Sequence, residues 1–180
     1  MNSGTSVYGT GPERQRQRAT AAHSTVELAG QSSSEMWSGF RVARRARPRD
    51  LECFTEDEAL IIRCSHDGYT RLPSKHIVTR TWEFRKNRMD VRDWFSGRGV
   101  SALAHFHLHP DITAVFSKEG VHLSDKEDID VYVECDGGHI SIAEGTYHPE
   151  FGVSLKNKKI EIAPSDEYMS MIFYWGSANI

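Results

Sequence analysis

Apolar and polar side chains alternate along residues 102–110. In an extended strand Ala104, Phe106 and Leu108 fall on one side, and His105, His107 and His109 on the other. Pro110 cannot donate a ladder hydrogen bond and ends the run. The same period of two recurs along the chain. It predicts strands at 24–28, 40–44, 59–64, 77–84, 88–95 and, after the histidine strand, at 113–116, 121–123, 129–134, 139–143, 153–155, 158–162 and 169–175. In the run 40–44 the alternation is apolar with basic, so one face is expected to be buried and the other to carry arginine. Arg85-Lys86-Asn87 and Asp136-Gly137-Gly138 read as tight turns between strands, and residues 96–99 turn the chain into the histidine strand. Residues 1–22, punctuated by Gly4, Gly9, Gly11 and Pro12, and residues 65–76 read as loop. No window sustains a helical period with caps. The elements predict one all-β domain over residues 1–180, a large antiparallel β-sandwich with few or no helices.

Composition narrows the class. The chain has 180 residues, 38% hydrophobic and 26% charged, with a mean hydropathy of −0.53. That is enough chain for a real core. No apolar run approaches the roughly 20 residues of a membrane helix, and no apolar signal segment follows Met1. Cys53, Cys64 and Cys135 form no CxxC pair and read as buried free thiols.

Charge changes the picture more. The net charge is −3, yet residues 1–49 carry eight arginines against Glu13, Glu27 and Glu35, a local balance of +5 that leaves −8 on the remainder. An arginine-rich end calls for an anionic partner. The candidates are nucleic acid and an acidic polysaccharide. Few aromatics interleave these arginines, so no stacking platform for single-stranded nucleic acid is evident, and an acidic polysaccharide suits the basic half and the Tyr and Trp content. There is no GxSxG elbow, Walker loop or HExxH. The histidine strand offers two readings. The first is satisfied or solvated histidines on a sheet face. The second is a cupin-like metal site through His105 and His107, completed by Glu119 with His122 or by Glu150 with His148.

Several phrases, in order over nearly the whole chain, resemble the C-terminal region of the heparinase II/III family of polysaccharide lyases. Residues 2–8 (NSGTSVY) resemble its D-x-G-T-x-x-Y, and residues 18–26 (RATAAHSTV) its R-x-T-x-A-H-N-T-V. Residues 31–40, 66–72 (HDGYTRL), 80–82 (RTW), 105–110 and 147–152 (YHPEFG) are similar to further family phrases.

The resemblance implies a helical toroid followed by the sandwich, with this chain covering the sandwich and not the toroid. It implies β-elimination at a uronic acid, with the main catalytic residues on the toroid and none in this chain. His23 matches a metal-ligand histidine, and Asn2 stands where the family has a ligand Asp, so the metal site implied, for zinc or calcium, rests on His23 and Asn2. Ser24 replaces the usual Asn. Tyr8 is the substrate contact that the resemblance implies; the charge pattern adds Arg14, Arg16 and Arg18, expected on a loop. A stand-alone module that recognises acidic glycans through Arg14–Arg18 and Arg41–Arg49 is the alternative function. The expected partners are acidic polysaccharide and a toroid domain, with no nucleic acid and no membrane span, in a periplasmic or cell-envelope location.

Overall fold

The computed structural model describes residues 1–96, 99–118, 120–127 and 130–176. Strands are numbered in chain order. A four-stranded sheet runs β1 (Val26–Leu28), β8 (Ala102–His107), β13 (Leu155–Pro164), β12 (Gly138–Tyr147). An eight-stranded sheet runs β4 (Pro48–Glu56), β5 (Ala59–Tyr69), β6 (His76–Arg85), β7 (Arg88–Phe95), β14 (Tyr168–Trp175), β11 (Asp130–Asp136), β10 (Gly120–Ser124), β9 (Thr113–Ser117). A separate hairpin joins β2 (Glu35–Trp37) to β3 (Arg41–Arg44). Every pairing between these strands is antiparallel.

The period of two puts alternate apolar side chains between the sheets. Val26, Leu28, Ala104, Phe106, Ile160 and Ile162 come from the small sheet; Val78, Val91, Phe95, Val133, Met169 and Met171 meet them from the large one. This is the all-β sandwich the alternation predicts. The core also takes in one polar pair. Arg80 of β6 chelates Asp93 of β7 through two hydrogen bonds of 2.7 Å, and both side chains are buried. The remaining Arg80 nitrogen donates to the Ser24 carbonyl at 2.6 Å, just before β1, and the guanidinium lies 5.0 Å from the Phe106 ring. The pair therefore ties the large sheet to the start of the small one. Its third hydrogen bond and its ring contact leave little of the guanidinium's bonding capacity unmet.

Four expectations need correction. Residues 12–22 are not loop: Pro12–Arg18 is a helix, α1, followed by a 3-10 turn at Thr20–Ala22. Pro12 sits in the first turn, Glu13 near the N-terminus and Arg16 and Arg18 near the C-terminus, all favourable placements. The helix has no apolar stripe, so periodicity could not reveal it. Second, β2 and β4 were not expected, the run 40–44 buries no face (Phe40 is exposed and Val42 half-buried), and β5 runs on to Tyr69 through an irregularity after His66. Third, the run 153–155 contributes only Leu155, the first residue of β13. Fourth, the cysteines are free but not buried: Cys53 is exposed, and Cys64 and Cys135 are half-buried. Every residue of β4 is exposed, because the eight-stranded sheet extends past the small sheet and no second layer covers that edge. The predicted strand start at Ile129 and the turn residues Gly97 and Arg98 lie outside the described residues.

Asp93→Ala should lower unfolding stability by about 3–5 kcal/mol, because it leaves Arg80 charged and unpaired inside the sandwich. Urea denaturation checks this. The double replacement Arg80→Met with Asp93→Leu is expected to recover much of the loss.

Candidate functional site: an aromatic and arginine ridge beside a cleft

The histidine side of β8 is not wet. His105 and His107 are buried because the N-terminal segment lies over the outer face of the four-stranded sheet. His109, beyond the strand end, is exposed. The covering segment is tied by backbone. Ser3 donates to the Ala22 carbonyl at 2.9 Å, His148 to Ser3 at 2.6 Å, and Gly152 to Ser6 at 2.8 Å. The Ser24 hydroxyl accepts from the His107 amide at 3.1 Å. Gly4 makes this close approach possible. Its φ is +78°, and a Cβ there would stand 2.1 Å from the His148 carbonyl oxygen.

Helix α1 has seven residues, too few to persist alone, and tertiary bonds hold it. Gln17 accepts from the Ser6 amide at 2.9 Å and donates to the Ser6 hydroxyl at 2.9 Å. Arg14 donates to the Gly39 carbonyl at 3.1 Å and to Thr5 at 3.2 Å. Gln15 and Arg18 both donate to the Ser38 carbonyl, at 2.5 and 2.7 Å. The helix thus clamps the turn between β2 and β3.

The clamp builds a ridge. Tyr8 contacts Phe40 (ring centroids 5.6 Å apart) and Phe151 (5.1 Å). The three rings are 64%, 69% and 63% exposed. Arg14 lies beneath, 5.3 Å from the Phe40 ring and 5.9 Å from the Tyr8 ring. On the hairpin, Arg41 covers exposed Trp37 at 4.6 Å. Arg41, Arg45 and Arg47 are exposed and form no ion pair among the described residues.

Beside the ridge a cleft of about 180 Å³ opens between α1 and the outer sheet face, lined by Arg16, Ala19, His107, Thr146 and Lys159. Arg16 chelates Glu13 at 2.8 and 2.6 Å and donates to the Thr146 hydroxyl at 2.8 Å. That pairing holds the Glu13 carboxyl down at about 2. His148 sits behind this group. Its Nδ1 is 3.2 Å from the Val153 carbonyl, which can only accept, so Nδ1 carries the proton and Nε2 accepts from Thr146 at 3.1 Å.

Residues 1–175 match the family of heparinase II/III-like proteins, in its C-terminal region. The chain belongs to the heparinase II/III-like family. Its sandwich is similar to heparan sulfate lyase HepC from Pedobacter heparinus, with a TM-score of 0.74 and 19% identity over 99% of this chain. It is also similar to a mutant of that lyase, at 0.73 and 20% over 98%. A heparinase III matches at 0.72 and 16% over 97%. The chain spans about 28% of the length of each of these proteins. No curated protein matches it.

The expected contacts of this heparinase II/III-like domain take different places. Tyr8 is at the centre of the ridge. Arg16 lines the cleft and is half exposed. Arg18 is partly buried and pinned to the carbonyls of Ser38 and Arg41. Arg14 is only 9% exposed and is a support under the rings rather than a surface cation. None of the three arginines is on a loop. Sequence reading missed Trp37, Phe40, Phe151 and Lys159. The available signal was two aromatics, Trp37 and Phe40, only three residues apart and set among Ser, Gly and Arg.

His23 is partly buried and close to His107, and Asn2 is exposed. Among the described residues no three His, Cys, Asp or Glu side chains come together to hold a metal ion. An amide and one imidazole offer at most two ligands where zinc takes four, so the donors present in this chain do not by themselves fit the implied metal. The cupin-like arrangement is not assembled either. His107 donates from Nε2 to the Ala21 carbonyl at 2.9 Å, and His105 bonds Glu161 at 3.1 Å. His122 lies on β10, in the other sheet, against Asp130, and Glu119 lies outside the described residues. Tyr69, within the phrase 66–72, is fully buried and donates to the carbonyl of Val26 or Gln31, both at 3.1 Å.

Burial, with the Lys159 ammonium nearby, pushes His105 down to about 4, and burial lowers His107 and His23. Unfolded, these rings take protons near 6.5; folded, they resist. The unfolded chain therefore binds more protons below 6.5, and stability should fall as pH drops from about 6.5 toward about 4. Urea midpoints between these limits check the trend, and His105→Gln should flatten it. Gly4→Ala should destabilise the covering segment by about 1–3 kcal/mol, read as a lower melting temperature and faster proteolysis of residues 1–24. Gly9→Ala, where an added Cβ meets nothing within 4 Å, should cost less.

Proposed function

We propose that this domain forms one wall of the substrate groove of a lyase that cleaves uronic-acid-containing polysaccharide by β-elimination. The observation that carries the proposal is the ridge: three exposed rings in contact, with Arg41, which has no carboxylate partner among the described residues, next to Phe40 in the chain. Sugar rings stack on aromatic faces, and free guanidinium groups pair with carboxylate or sulfate. The names of the relatives, heparan sulfate lyase and heparinase III, support an acidic substrate.

In β-elimination a base removes the C5 proton of the uronic acid, and the electron pair forms the C4–C5 double bond. The C4–O bond breaks and the leaving oxygen takes a proton. Carboxylate neutralisation stabilises the developing charge at C5. We assign this chain binding and orientation: Tyr8, Phe40 and Phe151 seat the sugar rings, and Arg41, next to Phe40, holds an anionic group. Base and acid would come from a helical toroid domain, so the chain alone is inactive in this reading. Any metal at His23 would need donors from that same partner. The location that goes with this reading is periplasmic or cell-envelope. A stand-alone acidic-glycan-binding module is the second reading, favoured by the fact that every ridge residue is on this one chain.

Phe40→Ala and Arg41→Ala should each weaken heparan sulfate binding by roughly threefold to tenfold, in line with one lost ring or cation–π contact. Affinity electrophoresis of the purified chain measures this, and ridge variants that bind like wild type would remove the proposal. In the same samples the chain alone should release no ultraviolet-absorbing unsaturated product. Release of that product would place catalytic groups on this domain.

A further inference from the structure

The outward face of the eight-stranded sheet is the opposite exterior of the sandwich from the surface that the N-terminal segment covers. Two aromatic stations stand on it. At one, Trp94 of β7 and Tyr168 of β14 are register partners, 47% and 38% exposed. At the other, Tyr174 of β14 pairs with Tyr132 of β11, and Tyr132 stacks on His122 with ring centroids 4.7 Å apart. Arg88 lies 5.2 Å from the Tyr174 ring. Tyr168 and Tyr174 are six residues apart on one strand, so the stations are separated by about 20 Å.

Between them lies a layer of guanidinium planes over buried carboxylates. Arg88 chelates Asp90 at 2.6 and 2.9 Å. Arg92 bonds Glu83 at 2.7 Å and Asp90 at 2.9 Å. Glu83 and Asp90 are buried, while the arginine side chains remain 38% exposed. Each cation is therefore held in place and largely neutralised from below.

This pattern selects an occupant. Protein interfaces enrich arginine and aromatic residues but are depleted of Asp and Glu, whereas the arginines here are already paired with carboxylates of their own face. Strand addition uses a sheet edge, not a face. A polyanion is drawn to unpaired cations, which, among the described residues, the segment 41–47 has and this face lacks. What remains is an elongated ligand with flat faces that stack on rings and with hydroxyl groups for the outward guanidinium N–H donors. We infer that this face is a second saccharide site, separate from the ridge, that takes a chain of uncharged sugar residues. It does not depend on the lyase reading.

Isothermal titration of the full 180-residue chain with neutral hexasaccharides (cellohexaose, mannohexaose and chitohexaose) tests it. At least one should bind saturably, with little change from roughly 0.05 to 0.5 M salt, because no net charge is paired. Trp94→Ala and Tyr174→Ala should each weaken it by about tenfold or more, the value of one lost stacking contact. Trp94 is exposed, so its replacement leaves the core intact; Tyr168→Ala is a second variant at the same station, with circular dichroism confirming the fold. The inference is overturned if none of the three sugars binds, or if these variants bind within about twofold of wild type. It is also overturned if Phe40→Ala, and not Trp94→Ala, removes the binding, which would assign it to the ridge.

Discussion

The middle strand β8 is buried on both faces, and the arrangement of the functional surface follows from that. Ala104 and Phe106 face the large sheet, while His105 and His107 face outward and are still shielded from water. Something must cover them, and the covering is the chain's own first 24 residues. To lie flat on the sheet the segment needs a parallel bridge between Gly4 and His148, and only a residue without a side chain fits there. Once seated, the segment carries α1 across the outer face. The helix reaches the β2–β3 turn and gathers Tyr8, Phe40 and Phe151, which are far apart in sequence, into one surface. Ridge and cleft are both consequences of covering one strand.

The arginines of the N-terminal stretch divide by environment, not by composition. Arg14 is spent on the Gly39 carbonyl and two rings. Arg16 and Arg18 are pinned to Glu13, Thr146 and backbone carbonyls. Arg41, Arg45 and Arg47 stay exposed, with no carboxylate partner among the described residues. Exposed pairs contribute little to stability, so the free cations cost the fold almost nothing and remain available to an anion. The far face of the large sheet has the opposite character: its arginines are matched by carboxylates underneath. The two exteriors of one sandwich thus present different chemistries to a ligand.

The histidines show how a tertiary contact redirects side chains that look like ligands. An HxH strand segment places two imidazoles on one side, the geometry a metal would use. Here the Ala21 carbonyl fixes His107 and Glu161 fixes His105. Those partners come from the covering segment and from β13, and neither is a neighbour in sequence.

The amino-acid sequence determined the sandwich, the limits of strands such as β7, and the turns at Asn87 and Gly137, because a period of two and local turn chemistry are properties of adjacent residues. Its ordered phrases also carried the family. It left α1 and β4 unread, since a short polar helix and an edge strand without a covering layer have no apolar pattern to betray them. Burial of Arg14, capture of the histidines and assembly of Tyr8, Phe40 and Phe151 were decided only in three dimensions. Each depends on which segments pack together over distances of 25 to more than 140 residues, and no local rule encodes that.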